Sequence, residues 1–172
     1  MRYKKPLSYK GIDLSDQAIS WCQKTFTSPA MSWERGSAEN LPIADNSVDV
    51  VINVESSHCY PSMPNFFREV KRILKPQGYF AYCDMRRLAG LPEVEQAIKN
   101  SGLQILKQED ITHQVLNALD HTSTQRDSEV TAVFHPLFQR TFRAFAGVKD
   151  TTVYNMLKNG EMKYFSYLLQ KN

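Results

Sequence analysis

Residues 48–60, VDVVINVESSHCY, pass from a β-branched run straight into a polar loop, and this narrows the choice of fold more than any other stretch. Val48, Val50, Val51, Ile52 and Val54 are interrupted only by Asp49 and Asn53. Such a run, bounded by turn residues, reads as a strand covered on both faces, as in a parallel α/β sheet. Sheets of that kind place their ligands just beyond the carboxyl ends of their strands. The chemistry is therefore expected between Asn53 and Tyr60, where apolar residues give way to Glu55, Ser56, Ser57, His58 and Tyr60.

The flanking sequence supplies the rest of such a sheet. LSYKGIDL (7–14) reads as a strand arriving at Asp13, and Ser15 stands where a helix N-cap belongs. Ala18, Ile19, Cys22 and Phe26 then recur at helical spacing. Residues 31–35 read as a short strand, GSAENLP (36–42) as a loop and ADNS (44–47) as a turn. Ser62 or Met63 caps a helix whose stripe is Phe66, Phe67, Val70, Ile73 and Leu74, and KPQG (75–78) ends it. Strands are expected at 79–85 and 103–111, with a helix over 91–101 stopped by Gly102. A short helix at 112–119, a polar connection at 121–127 and a Phe-rich helix over 130–145, broken by Pro136, follow. A helix at 151–158 and a final strand at 162–169 close the chain. Alternating strands and helices, then a helical insertion, then a last strand, describe one α/β sandwich with a mostly parallel sheet.

Composition removes several classes of function. A net charge of +3, mixed along 172 residues, gives no electrostatic footprint for nucleic acid. No apolar run approaches membrane-spanning length, so integral membrane association is not expected, and MRYKKPLSYKG lacks the apolar core of a secretory signal. Cys22, Cys59 and Cys83 are odd in number and widely spaced, which suits reduced thiols in a cytoplasmic compartment and no metal site.

Three clusters are candidates for chemistry. Asp13, at a strand end, can accept hydrogen bonds from both ribose hydroxyls, with Leu14 as an apolar wall; it can equally cap the next helix. Ser37, Ala38 and Glu39 form a loop able to read an adenine edge, or an ordinary capped turn. His58 can take a proton near neutral pH, with Glu55 to orient it and Tyr60 to donate a hydrogen bond. The Phe-rich 130–145 segment suits a core or lid, or the wall of an apolar substrate tunnel, and Cys59 lacks the orienting partners of a thiol nucleophile.

GIDLS, GSAENLPIADNSVDVVINVESSHCYP and FFREVKRILKPQGYFAYCDMR, in this order and spacing, resemble class I S-adenosylmethionine-dependent methyltransferases. Within them, NVESSHCYP, CDMR and the tail from FAGVKD onward resemble the phthiotriol/phenolphthiotriol dimycocerosates methyltransferases. The resemblance implies a Rossmann-like three-layer sandwich with an antiparallel C-terminal strand, residues 112–150 forming a lid. It implies S-adenosyl-L-methionine as cofactor and a hydroxyl of a small lipid-like or polyketide acceptor as substrate. By position, Asp13 would hold the ribose, Leu14 the adenine face, Ala38 its edge, and Asn53 would line the cofactor site; His58 would be the base.

Two departures accompany the likeness. Ser37 stands where the family has Asp, so an uncharged acceptor would meet the adenine amino group. The family's first strand and glycine-rich loop have no counterpart here, and the chain has no GxGxG. The absent strand would lie between the strand ending at Asp13 and that at 48–54, leaving two unpaired edges; either the sequence is a truncated product, or the gap is closed by re-pairing or by another chain, a second copy included. Two other readings stay open: methyl transfer to carbon or nitrogen, and an inactive fragment serving as a binding module.

Overall fold

The amphipathic stretch after Ser62 organises the observed fold. The Ser62 hydroxyl oxygen accepts the Asn65 N–H at 3.3 Å, and Pro64 falls in the first turn, where no donor is needed. Phe66, Phe67, Val70 and Ile73 lie on one face and are buried. Each such side chain stabilises the fold by about 1.5–3 kcal/mol. This helix packs on a sheet whose central strand supplies Phe80 and Tyr82, and Val94, Ala97 and Ile98 of a second helix complete the core.

The computed structural model describes residues 7–172. The elements are β1 (Tyr9–Asp13), α1 (Asp16–Thr25), β2 (Met31–Arg35), β3 (Val48–Val54), α2 (Met63–Ile73), β4 (Leu74–Arg87), α3 (Leu91–Ser101), β5 (Gln104–Asp110), α4 (Thr112–Val133), α5 (Pro136–Phe145), α6 (Thr152–Lys158) and β6 (Met162–Gln170). Short 3-10 turns lie at Ser57–Cys59 and Leu88–Gly90. The strands form two sheets: β1 and β2 pair in parallel, and the other four follow the order β3-β4-β6-β5. β3 runs parallel to β4, while β6 is antiparallel to both β4 and β5. All strands of the larger sheet except β6 therefore run the same way.

A second layer covers the other face. Leu119, Tyr154, Leu157 and Tyr164 cluster with Cys83, Met85 and Val115, so α4 and α6 pack over β4 and β6. The smaller sheet carries its own aromatic cover. Trp33 contacts Tyr9 and Phe26, and a Cβ at Gly11 would lie 2.3 Å from the Trp33 ring, so β1 needs glycine there. No residue of β1 pairs with β3 among the described residues; the two sheets are joined through the 36–47 loop. Arg72 clamps that loop, donating to the carbonyls of Ile43 (2.7 Å) and Leu41 (3.0 Å) and to Asp45 (2.6 Å).

Three expectations need correction. β3 is not covered on both faces: Val50, Ile52 and Val54, which share one face, are 50, 64 and 56% exposed, because the α4 and α6 layer packs over β4 and β6 and leaves that face of β3 open. The segment expected as a short helix and a polar connection is one continuous helix, α4. It holds no Gly or Pro, and Thr122 and Thr131 turn their hydroxyls back onto the carbonyls of Ala118 and Asp127 instead of breaking it. KPQG does not separate α2 from a strand starting at residue 79; β4 begins at Leu74 and is irregular between its pairings at Val48 and Val50. Pro136 opens α5, and Gly102, at φ 67°, stops α3 as expected.

Candidate active site

β4 alternates Phe80, Tyr82 and Asp84 into the α2 face, all three at most 1% exposed. A carboxylate so placed must be paired. Asp84 accepts from the Ser57 hydroxyl, the His58 N–H (3.0 Å) and the Met85 N–H (2.8 Å), and lies 3.1 Å from Arg86. Its Oδ1 is also 2.8 Å from His58 Nδ1. Burial works against the charge, but the hydrogen bonds from Ser57, His58 and Met85, with the Arg86 charge, outweigh it and hold the carboxyl below its ordinary range.

With Asp84 ionised, Nδ1 carries the proton and donates it, so Nε2 is the lone-pair nitrogen. The 3-10 turn at Ser57–Cys59 presents that imidazole at the carboxyl end of β3, with the side chain about a third exposed. Ser57 completes the relay. Its oxygen gives its proton to Asp84 and receives Tyr82 OH at 2.7 Å and Arg86 Nη2 at 3.1 Å. Burial, first, and the nearby Asp84 charge push the Tyr82 hydroxyl above its ordinary value, so it stays a donor.

The expected roles divide. Glu55 does not orient His58; Asp84 does. Glu55, at a strained φ of 51°, places its carboxylate beside Tyr164 on the opposite face of β4. Burial, aided by Glu55, pushes the Tyr164 hydroxyl upward. Tyr60 is tied to Asn53, whose Nδ2 donates to its OH at 2.9 Å, and to Ser56 at 3.0 Å. Asp84, Ser57, Tyr82 and Arg86 were missed as site residues. The signal was present: in YFAYCDMR the acid shares the strand face of Phe80 and Tyr82, and a buried acid needs partners.

The candidate cofactor residues show how far they fit. Asp13 Oδ1 accepts the Ser15 N–H at 2.7 Å, as a capping residue would, and Leu14 is 62% exposed. Ser37 Oγ accepts the Glu39 N–H at 3.1 Å, and Ala38 packs against the core. The Glu39 carboxylate accepts the Ser62 N–H at 2.6 Å, so its side chain supports α2 and does not face a ligand. Asn53 Oδ1 is buried without a hydrogen-bond partner. An orphaned acceptor there suits a ligand donor.

Comparison with known proteins gives this geometry a context. Residues 2–82 match the family described as "Methyltransferase domain". The chain is 41% identical over 168 residues to a phthiotriol/phenolphthiotriol dimycocerosates methyltransferase of Mycobacterium leprae. The likeness is to methyltransferases. That match covers 97% of this chain and 62% of the relative, so the chain spans about three fifths of the relative's length. A fatty-acid O-methyltransferase of Mycolicibacterium smegmatis is 32% identical, over 97% of this chain and 60% of its own. A phosphoethanolamine N-methyltransferase of Haemonchus contortus, solved with S-adenosyl-L-methionine, shares the Rossmann-like fold at TM-score 0.76 and 15% identity, over 94% of this chain and 43% of its own.

Proposed function

We propose that this chain belongs to an S-adenosylmethionine-dependent methyltransferase acting on a hydroxyl of a small lipid-like or polyketide acceptor. The observation that carries the reading is the His58–Asp84 pair, a positioned base at the carboxyl end of β3. The methylated compounds named for the relatives support the acceptor class. Asp13 and Leu14 would hold the ribose and adenine, Ser37 and Ala38 the adenine edge, and Asn53 the cofactor's polar end. When bound, the cofactor supplies an electrophilic methyl group. His58 Nε2 takes the acceptor's hydroxyl proton, and Asp84 stabilises the resulting imidazolium. Alignment of the reacting atoms within about 3–3.5 Å contributes most of the rate. The compartment is one that keeps the cysteines reduced, as cytoplasm does.

The open edges of β1 and β3 belong to the same proposal. A further parallel strand, from a second copy or another stretch of polypeptide, joins the two sheets and brings the missing backbone donors to the cofactor. The end position of β3 in its sheet, and the pairing of β1 with β2 alone, support this. The interrupted sheet also favours one other reading, a binding module without turnover. Calorimetric titration of S-adenosylmethionine, with a light-scattering mass, separates them. Saturable binding supports the enzyme; its absence in a folded chain assigns cofactor binding to a longer polypeptide. In the complete enzyme, His58→Ala should lower turnover about 10²–10⁴-fold with cofactor affinity nearly unchanged. Equal turnover would remove His58 from the mechanism, and transfer to carbon or nitrogen would show in the product.

A further inference from the structure

The turn between α4 and α5 carries a surface that neither the sheet nor the proton relay uses. Val133, Leu137 and Phe138 are 74, 80 and 59% exposed there. The hairpin that presents them is pinned from within. Phe134 and Phe142 stack with ring centroids 3.6 Å apart, Arg143 pairs with Asp127, and Gln139 donates to the Phe134 carbonyl at 3.0 Å. The apolar tip is thus held outward by its own staples. An open groove of about 450 Å³ lies behind it, with Val130, Val133, Phe134 and Ala146 in its wall beside the charged Arg126 and Glu129.

Charge decides what such a tip meets. From Val130 to Lys149 the chain has no acidic residue, but it has His135, Arg140, Arg143 and Lys149. Arg143 and Lys149 are paired with Asp127 and Asp120, whereas Arg140 is exposed and makes no ion pair among the described residues. Large apolar side chains beside basic ones, on an acid-free helical stretch, suit a bilayer interface. Self-association through the same patch would bring two copies of Arg140 together. Among the described residues no helix is long and apolar enough to cross a membrane, so the contact would be with a surface.

We propose that the α4–α5 tip docks on an anionic lipid bilayer, with Val133, Leu137 and Phe138 entering the interface and Arg140 meeting the headgroups. The test is sedimentation of the chain with vesicles of equal parts phosphatidylcholine and phosphatidylglycerol, and with phosphatidylcholine alone. The anionic vesicles should carry the chain down, and neutral ones should carry less. Leu137→Glu with Phe138→Glu should abolish sedimentation while the far-ultraviolet circular dichroism and thermal midpoint stay as in the parent. Arg140→Glu should weaken binding about fivefold or more, and less so in high salt. It decides the matter if the double variant fails to fold. No sedimentation with anionic vesicles, or sedimentation indifferent to these substitutions, overturns the proposal. So does a two-chain light-scattering mass that falls to one chain in the double variant, which would assign the patch to a second copy.

Discussion

Replacing Asp84 by Asn tests the relay at its centre. The shape is kept, but the charge is lost from a group that accepts from Ser57, both His58 donors and Met85, and that faces Arg86. Charge-assisted bonds contribute roughly 1.5–3 kcal/mol against about 1 for neutral ones. Downgrading several, and leaving Arg86 without its counter-charge, should cost about 2–4 kcal/mol, read by urea unfolding. The pH dependence has a fixed sign. Because the folded carboxyl is held below its ordinary 3.8, its stabilisation is complete above that value and is lost as pH falls through the lower folded value. The variant should lose that acid-side slope. Asn can also turn its amide toward His58 and shift the proton to Nε2, which long-range nitrogen-15 spectra of the imidazole would report. A variant as stable as the parent, with an unchanged acid limb and Nε2 still unprotonated, would refute the assignment of Asp84 as the orienting group.

Arg72→Ala should release the 41–45 loop. The clamp is partly solvated, so a loss of about 2–3 kcal/mol is expected rather than the sum of its bonds. Amide exchange at residues 41–47 should quicken while that of the α2 core does not; uniform quickening would mean global destabilisation instead. Ile52→Lys, at a residue 64% exposed, should change stability by no more than about 0.5 kcal/mol. It should reduce aggregation seen by light scattering, since charge on an open edge opposes strand pairing. A destabilisation beyond about 2 kcal/mol would show that β3 is covered in solution.

Local signals placed most elements. The 3.6-residue stripe of Phe66, Phe67, Val70 and Ile73, the Ser15 and Ser62 caps and the Gly102 stop all act over a few residues, and all were legible. The 112–133 helix was not, because its Thr, Ser and Asp residues favour turns in isolation. Here they satisfy themselves within the helix, and Arg126 bonds Thr122 and the Ala146 carbonyl across the hairpin. In the site, His58 was legible from its place at a strand end. Its partner was not, because Asp84 lies 26 residues away in sequence and meets it only through β3–β4 pairing. Glu55, nearer in the chain, was the natural choice, yet its positive φ turns it to the other face.

That division of faces bears on what completes the site. Ser57 and His58 lie in the turn after β3 and Tyr82, Asp84 and Arg86 on β4, and none depends on β1 or β2 for a hydrogen bond among the described residues. Asp13 and Leu14 hang on the smaller sheet, which meets the larger one through a loop and not through strand pairing. The base can therefore be fully formed while the distance from Asp13 to Asn53 is set by contacts of the linking loop, among them the Arg72 clamp, the Glu39–Ser62 bond, the Leu41 N–H to Glu69 bond and the packing of Ala38 on the core. A strand bound between β1 and β3 would fix that distance at two strand spacings, about 9.5 Å. Strand binding and cofactor binding would then be coupled: each should raise the affinity of the other by the same factor, because both would select one placement of the two sheets.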